Sequence, residues 1–99
     1  MSIGLPDNEL AAIKECLSKI PQIDQAIVFG SRAIGKYKAS SDIDIVLRGN
    51  NLTEKDIAQL ETLIDDLLLP YKFDFVLFST ISNDDLLEHI SRIGKQIYP

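Results

Sequence analysis

Gln25-Ala-Ile-Val-Phe-Gly-Ser-Arg-Ala-Ile-Gly-Lys-Tyr-Lys-Ala-Ser-Ser-Asp-Ile-Asp-Ile-Val-Leu47 is the stretch that decides the fold. Residues 25–29 read as a buried strand, and residues 43–47 as a second one. Between them, Gly30-Ser31 opens a polar, basic-leaning loop that continues from Arg32 to Ser41 and ends at Asp42-Ile43-Asp44. Side chains alternate along a strand, so Asp42 and Asp44 stand on one face and Ile43 and Ile45 on the other. Asp is depleted in strands, and two carboxylates on one face repel each other. A chain that places both there needs a counter-charge, and a divalent cation is the usual one.

A third carboxylate extends the pattern. Tyr71-Lys-Phe-Asp-Phe-Val-Leu-Phe78 reads as a strand from its aromatic and β-branched content, with Asp74 between Phe73 and Phe75. A carboxylate inside an apolar strand is costly unless it is paired or metal-bound. If this strand lies beside residues 42–47, three carboxylates converge, an oxygen-only set suited to Mg²⁺ or Mn²⁺. Gly30 and Ser31 supply the complementary half. A glycine at a strand end permits a sharp turn and close approach to a ligand. Ser31 is expected to cap a short helix through residues 32–36, whose free N–H groups suit a phosphate. Arg32, Lys36 and Lys38 add positive charge in the same loop. Carboxylates facing a phosphate cradle point to in-line attack on phosphorus.

The strings Phe29-Gly-Ser-Arg-Ala-Ile-Gly35 and Ser41-Asp-Ile-Asp-Ile45 resemble the signature of the DNA polymerase β-like nucleotidyltransferase superfamily. The short chain resembles its minimal branch (MNT), whose members are often antitoxins of HEPN–MNT toxin–antitoxin pairs. The resemblance covers residues 25–47 and the Asp at 74. It implies a metal-dependent nucleotidyltransferase of the protein adenylyltransferase type, with Mg²⁺ or Mn²⁺ as cofactor and ATP as substrate. Gly30 and Ser31 would bind the triphosphate with help from Arg32 and Lys36. Asp42, Asp44 and Asp74 would be the metal-binding and catalytic carboxylates, Asp74 also assisting deprotonation of the acceptor. Where many relatives carry a second basic residue, this chain has Ile34. By resemblance the acceptor is a hydroxyl of a helical HEPN toxin encoded nearby. A non-catalytic antitoxin of the same fold, or a subunit acting on a small molecule held by another chain, are the alternatives.

The expected fold class is α/β: a small mixed sheet flanked by helices, the minimal polymerase β-like nucleotidyltransferase fold. Pro6-Asp7 opens a helix with Leu10, Ile13, Leu17 and Ile20 at helical spacing, and Pro21 stops it. After strand two, Gly49-Asn50-Asn51 turns the chain. Thr53, with Asp56 three residues on, starts a helix whose apolar stripe is Ile57, Leu60, Leu63, Ile64, Leu67 and Leu68. Pro70 ends it before strand three. Residues 82–85 open a last helix, with the stripe Leu86, Leu87, Ile90, Ile93 and Ile97. The connection between strands two and three is long enough for a parallel crossover, whereas strands one and two are expected to be antiparallel.

Ninety-nine residues, 45% hydrophobic and 25% charged, fit a single domain over residues 1–99. A net charge of −5 argues against direct nucleic-acid binding by this chain alone. The single Cys16 cannot form an internal disulfide, which fits a reducing cytoplasm. No apolar run is long enough to span a membrane.

Overall fold

The computed structural model describes residues 3–35 and 42–99. Helix α1 (Asp7–Ser18) leads into strand β1 (Gln25–Phe29), which ends in a 3-10 turn at Gly30–Arg32. Strand β2 (Ile43–Arg48), helix α2 (Glu54–Asp65) and strand β3 (Phe73–Leu77) follow, then helix α3 (Asp84–Ile93) and strand β4 (Lys95–Tyr98). The four strands form one mixed sheet in the order β3-β2-β1-β4. β1 runs antiparallel to β2 and β4, and β2 runs parallel to β3. Both expected strand orientations are therefore present.

Alternation sorts the strands' two faces. Ala26 and Val28 of β1, Ile43, Ile45 and Leu47 of β2, and Leu77 of β3 are buried on one side. They join Ile13 and Leu17 of α1 and Ile57, Leu60 and Ile64 of α2 in one core. α3 lies on the other side, against β1, where Gly94 comes so close to Ile27 that a Cβ would overlap its Cγ2. Local sequence sets the helix starts. The Asp56 carboxylate accepts hydrogen bonds from Thr53 N (2.9 Å) and Oγ1 (3.2 Å) at the head of α2. Asn83 Oδ1 accepts from the N–H groups of Asp85 and Leu86 at the head of α3. No helix among the described residues is long and apolar enough to cross a membrane.

Four expectations need correction, the last of them at Arg32. The last helix stops at Ile93, and Ile97 belongs to a fourth strand, where it is 2% exposed. Ile93 and Ile97 are four apart, which continues a helical stripe on paper. Gly94 breaks that continuity with an extended backbone, ψ 144. Leu68 lies beyond α2, takes a left-handed φ of 55, and is 89% exposed rather than part of the apolar stripe. A side-chain-bearing residue in that conformation costs about 1–2 kcal/mol, which is why Gly or Asn usually occupies such a helix end. Ser31 caps no helix: the turn it sits in spans three residues, and no side chain caps it.

Arg32, expected to help bind the triphosphate from the loop, is only 1% exposed. Its Nη1 donates to the carbonyl oxygens of Ile3 (3.0 Å) and Gly4 (3.4 Å), and its guanidinium lies 5.1 Å from the centre of the Tyr71 ring. The Tyr71 hydroxyl in turn donates to Glu9 Oε1 at 2.6 Å. That bond and partial burial push the phenol above its ordinary pKa, while Arg32 opposes the shift. Arg32 thus ties the turn after β1 to the N-terminal segment and to the entry of β3. Arg32→Met should lower unfolding free energy by about 2–4 kcal/mol, since each buried carbonyl left without its donor costs about 1–3 kcal/mol. Urea unfolding measures it; a change within about 0.5 kcal/mol, typical of a surface site, would return Arg32 to the role of a solvated cation.

Candidate active site

Parallel pairing brings Asp44 and Asp74 into direct register on neighbouring strands, Asp44 opposite Asp74 as Ile43 is opposite Phe73. Asp44 is half-buried and Asp74 exposed. Asp42 sits exposed just before β2, two residues upstream and so on the same side as Asp44. The sequence therefore placed its three carboxylates at one end of the sheet, on the face opposite the α1/α2 core. Burial raises the Asp44 pKa above its ordinary value, and the charges of Asp74 and then Asp42 raise it further.

β1 delivers the other half. Phe29 pairs with Asp44 across the antiparallel ladder, so Gly30 immediately follows the residue opposite that carboxylate. Gly30 has φ +76, and a Cβ built on it would overlap Asp44 Oδ2. Glycine is required here twice, by the left-handed backbone and by the carboxylate pressed against it. The sequence reading assigned this closeness to a phosphate; the structure shows that the Asp44 side chain already uses it. Ser31, half-buried, stands next in the turn. Arg32 faces inward, as described above, and Lys36 lies outside the described residues, as do Tyr37 and Lys38.

All candidate metal donors are carboxylate oxygens, which matches the preference of Mg²⁺ and Mn²⁺. The fit is one of donor chemistry and strand register. Among the described residues, no three Asp, Glu, His or Cys side chains are drawn together tightly enough to enclose an ion. Like charges brought together repel, and a bound cation would offset that repulsion. Sequence reasoning did not find the roles of Tyr71, whose ring lies against Arg32, and of Glu9, which accepts from the Tyr71 hydroxyl. Their contact joins residues 62 apart in the chain, and no local pattern announces it. A groove of about 510 Å³ between Asp24, Arg48, Gly49 and Gln96 lies at the opposite end of β2.

Comparison with known proteins agrees with the fold. The family described as Polymerase beta, Nucleotidyltransferase matches residues 11–99. No functionally curated protein matches the chain. Several solved structures do share its fold. One is a toxin–antitoxin complex with AMP-PNP, at 23% identity and a TM-score of 0.70, covering 95% of this chain and 73% of that one. Another is the toxin–antitoxin pair MntA-HepT, at 22% identity and 0.66, covering 94% and 72%. A third is the tri-AMPylated Shewanella oneidensis HEPN toxin in complex with MNT antitoxin, at 21% identity and 0.66, covering 92% and 70%. The chain belongs to the Polymerase beta nucleotidyltransferase family.

Proposed function

We propose that this chain is a metal-dependent nucleotidyltransferase that moves AMP from ATP onto a hydroxyl of a partner protein of the HEPN type and thereby acts as an antitoxin. The observation that carries the reading is the in-register pair Asp44 and Asp74, with the Gly30-Ser31 turn packed against Asp44. Support for the partner comes from the fold neighbours, which are toxin–antitoxin complexes, one with an AMPylated HEPN toxin.

In this reading the acceptor oxygen attacks the α-phosphorus of ATP. A new phosphorus–oxygen bond forms, the bond to the bridging oxygen breaks, and pyrophosphate leaves. Asp42, Asp44 and Asp74 would hold Mg²⁺ or Mn²⁺, which when bound neutralises charge on the triphosphate and on the departing pyrophosphate. Asp74, the more exposed of the register pair, would take the acceptor's proton. Gly30 and Ser31 would receive the phosphates, Ser31 through its hydroxyl and the turn through its backbone. Lys36 remains a candidate phosphate partner on sequence grounds. Arg32 contributes by fixing the turn.

Two experiments bear directly on this. Calorimetric titration with ATP should show binding that depends on Mg²⁺, and equal binding in EDTA would remove the carboxylates from a metal role. The second uses the raised Asp44 pKa. A carboxyl whose pKa is higher folded than unfolded weakens the fold once pH rises above its ordinary range, because the unfolded chain releases the proton first. Below that range the penalty vanishes. Asp44→Asn in metal-free protein should therefore raise the melting temperature at neutral pH, with the gain shrinking as pH falls through the ordinary carboxylate value of 3.8. The same variant should lose nucleotide transfer. A lower melting temperature at neutral pH would mean that the Asp44 charge is compensated in the absence of metal.

A further inference from the structure

The carboxylate face of the sheet is laid out in cross-strand rows. Phe29, Asp44 and Asp74 lie side by side in the first. Ile27, Val46 and Val76 form the second. Gln25 and Arg48 begin the third, and the Arg48 guanidinium lies 4.4 Å from the centre of the Phe78 ring. Val46 is fully buried although it points away from the α1/α2 core. Among the described elements α3 is the helix on this face, where Ile90 is buried and Gly94 meets Ile27. α3 therefore crosses over the second row. Along β2 that row is two residues, about 7 Å, from the row that holds Asp44 and Asp74.

A groove of about 320 Å³ shows which flank of α3 faces which row. Leu87, Ser91 and Gly94 line it together with Arg48 and Phe78 of the third row. At about 100° per residue, the flank across the buried Ile90 from these carries Leu86, His89 and Ile93. That second flank faces the carboxylate row. Its three side chains are half-buried, as are Phe29 and Val76 on the sheet. His89 makes no hydrogen bond or ion pair with another described residue. An apolar wall with one imidazole thus stands beside the carboxylates, only half covered by the chain itself.

In-line transfer sets the acceptor oxygen and the departing pyrophosphate on opposite sides of the phosphorus. Asp74 on β3 and the Gly30-Ser31 turn after β1 flank Asp44 from opposite sides, so that line runs across the strands. The ribose projects off the line, and α3 is the described element beside it. An acceptor side chain arrives along the line, on the Asp74 side. A nucleoside is uncharged, so its fit to this wall depends neither on the acidic residues nearby nor on Lys36 and Lys38, which lie outside the described residues.

We infer that the flank of α3 formed by Leu86, His89 and Ile93 is the subsite for the nucleoside of the donor nucleotide, with the base against the two aliphatic side chains and the imidazole. This rests on the transfer reading above and adds to it the part of the site that tells a nucleotide from bare phosphates. A neutral imidazole offers one donor and one acceptor to the base or ribose, and its ring offers a face for stacking.

Calorimetry on the full chain with Mg²⁺ tests this by comparing ATP with inorganic tripolyphosphate, which has the phosphates and no nucleoside. His89→Ala and Leu86→Gln should each weaken ATP binding by about fivefold or more, the lower range for one lost stacking contact. Tripolyphosphate affinity should stay at the parent's value in both, which also shows that they fold. Ser91→Ala, on the other flank of α3, should leave both affinities unchanged. Parent-like ATP affinity in either variant would overturn the inference and leave the transfer reading standing; a raised KM for the acceptor protein alongside it would assign the flank to the acceptor instead. Equal weakening of ATP and tripolyphosphate would overturn it in favour of a structural role. A parent that binds neither ligand in Mg²⁺ would overturn the transfer reading and the inference with it.

Discussion

Position 30 has no room for a side chain, and the arrangement of the candidate site follows from that. The left-handed backbone at Gly30 lets β1 turn at once, and the missing Cβ leaves space for the Asp44 carboxylate. A half-buried charge on the middle strand of a small sheet is unfavourable, as its raised pKa shows. The glycine keeps that charge close to a turn of backbone rather than pushing it outward. The Gly30-Ser31 turn and the carboxylate are thus one steric unit, formed where an antiparallel ladder brings Phe29 opposite Asp44.

The turn itself is steadied from beneath. Arg32 is buried among backbone carbonyls and an aromatic ring, and Tyr71 passes the connection on to Glu9 of α1. The N-terminal segment and the entry to β3 meet at one guanidinium, and α1 is joined to it through Tyr71. Its planar shape allows hydrogen bonding in the plane and ring contact on its face, which Lys could not combine. A cation two residues after the glycine thus serves the geometry of the turn.

Much of this was legible in the sequence. Residues 25–29 and 43–48 announced themselves by apolar alternation between turn residues, and the strand containing Asp74 by its aromatic content. Thr53 with Asp56, and the polar run at 82–85, marked helix starts that the structure retains. What was not legible depended on three-dimensional context. Ile97 kept helical spacing although Gly94 had ended the helix, because a four-residue interval does not distinguish a further turn from a short strand. Leu68 continued the spacing of the apolar stripe although the helix stops three residues earlier. Arg32 read as solvated charge because burial of a cation depends on carbonyls nearly thirty residues away. Parallel pairing of β2 and β3 was inferred from loop length, but the exact opposition of Asp44 and Asp74 emerged only with the register.

That register links two things selected for different reasons. On β3, Phe73, Phe75 and Leu77 point into the core while Asp74 points the other way. A slip of one residue against β2 would carry the aromatic rings to the solvent side and force Asp74 among the leucines of α2. Misalignment of the carboxylates is therefore also misfolding, and the burial of two phenylalanines and a leucine guards their alignment. Mutational drift in the core of such a protein can change which apolar residues fill it, yet as long as the alternation survives, the acidic pair stays in line without any interaction devoted to keeping it there.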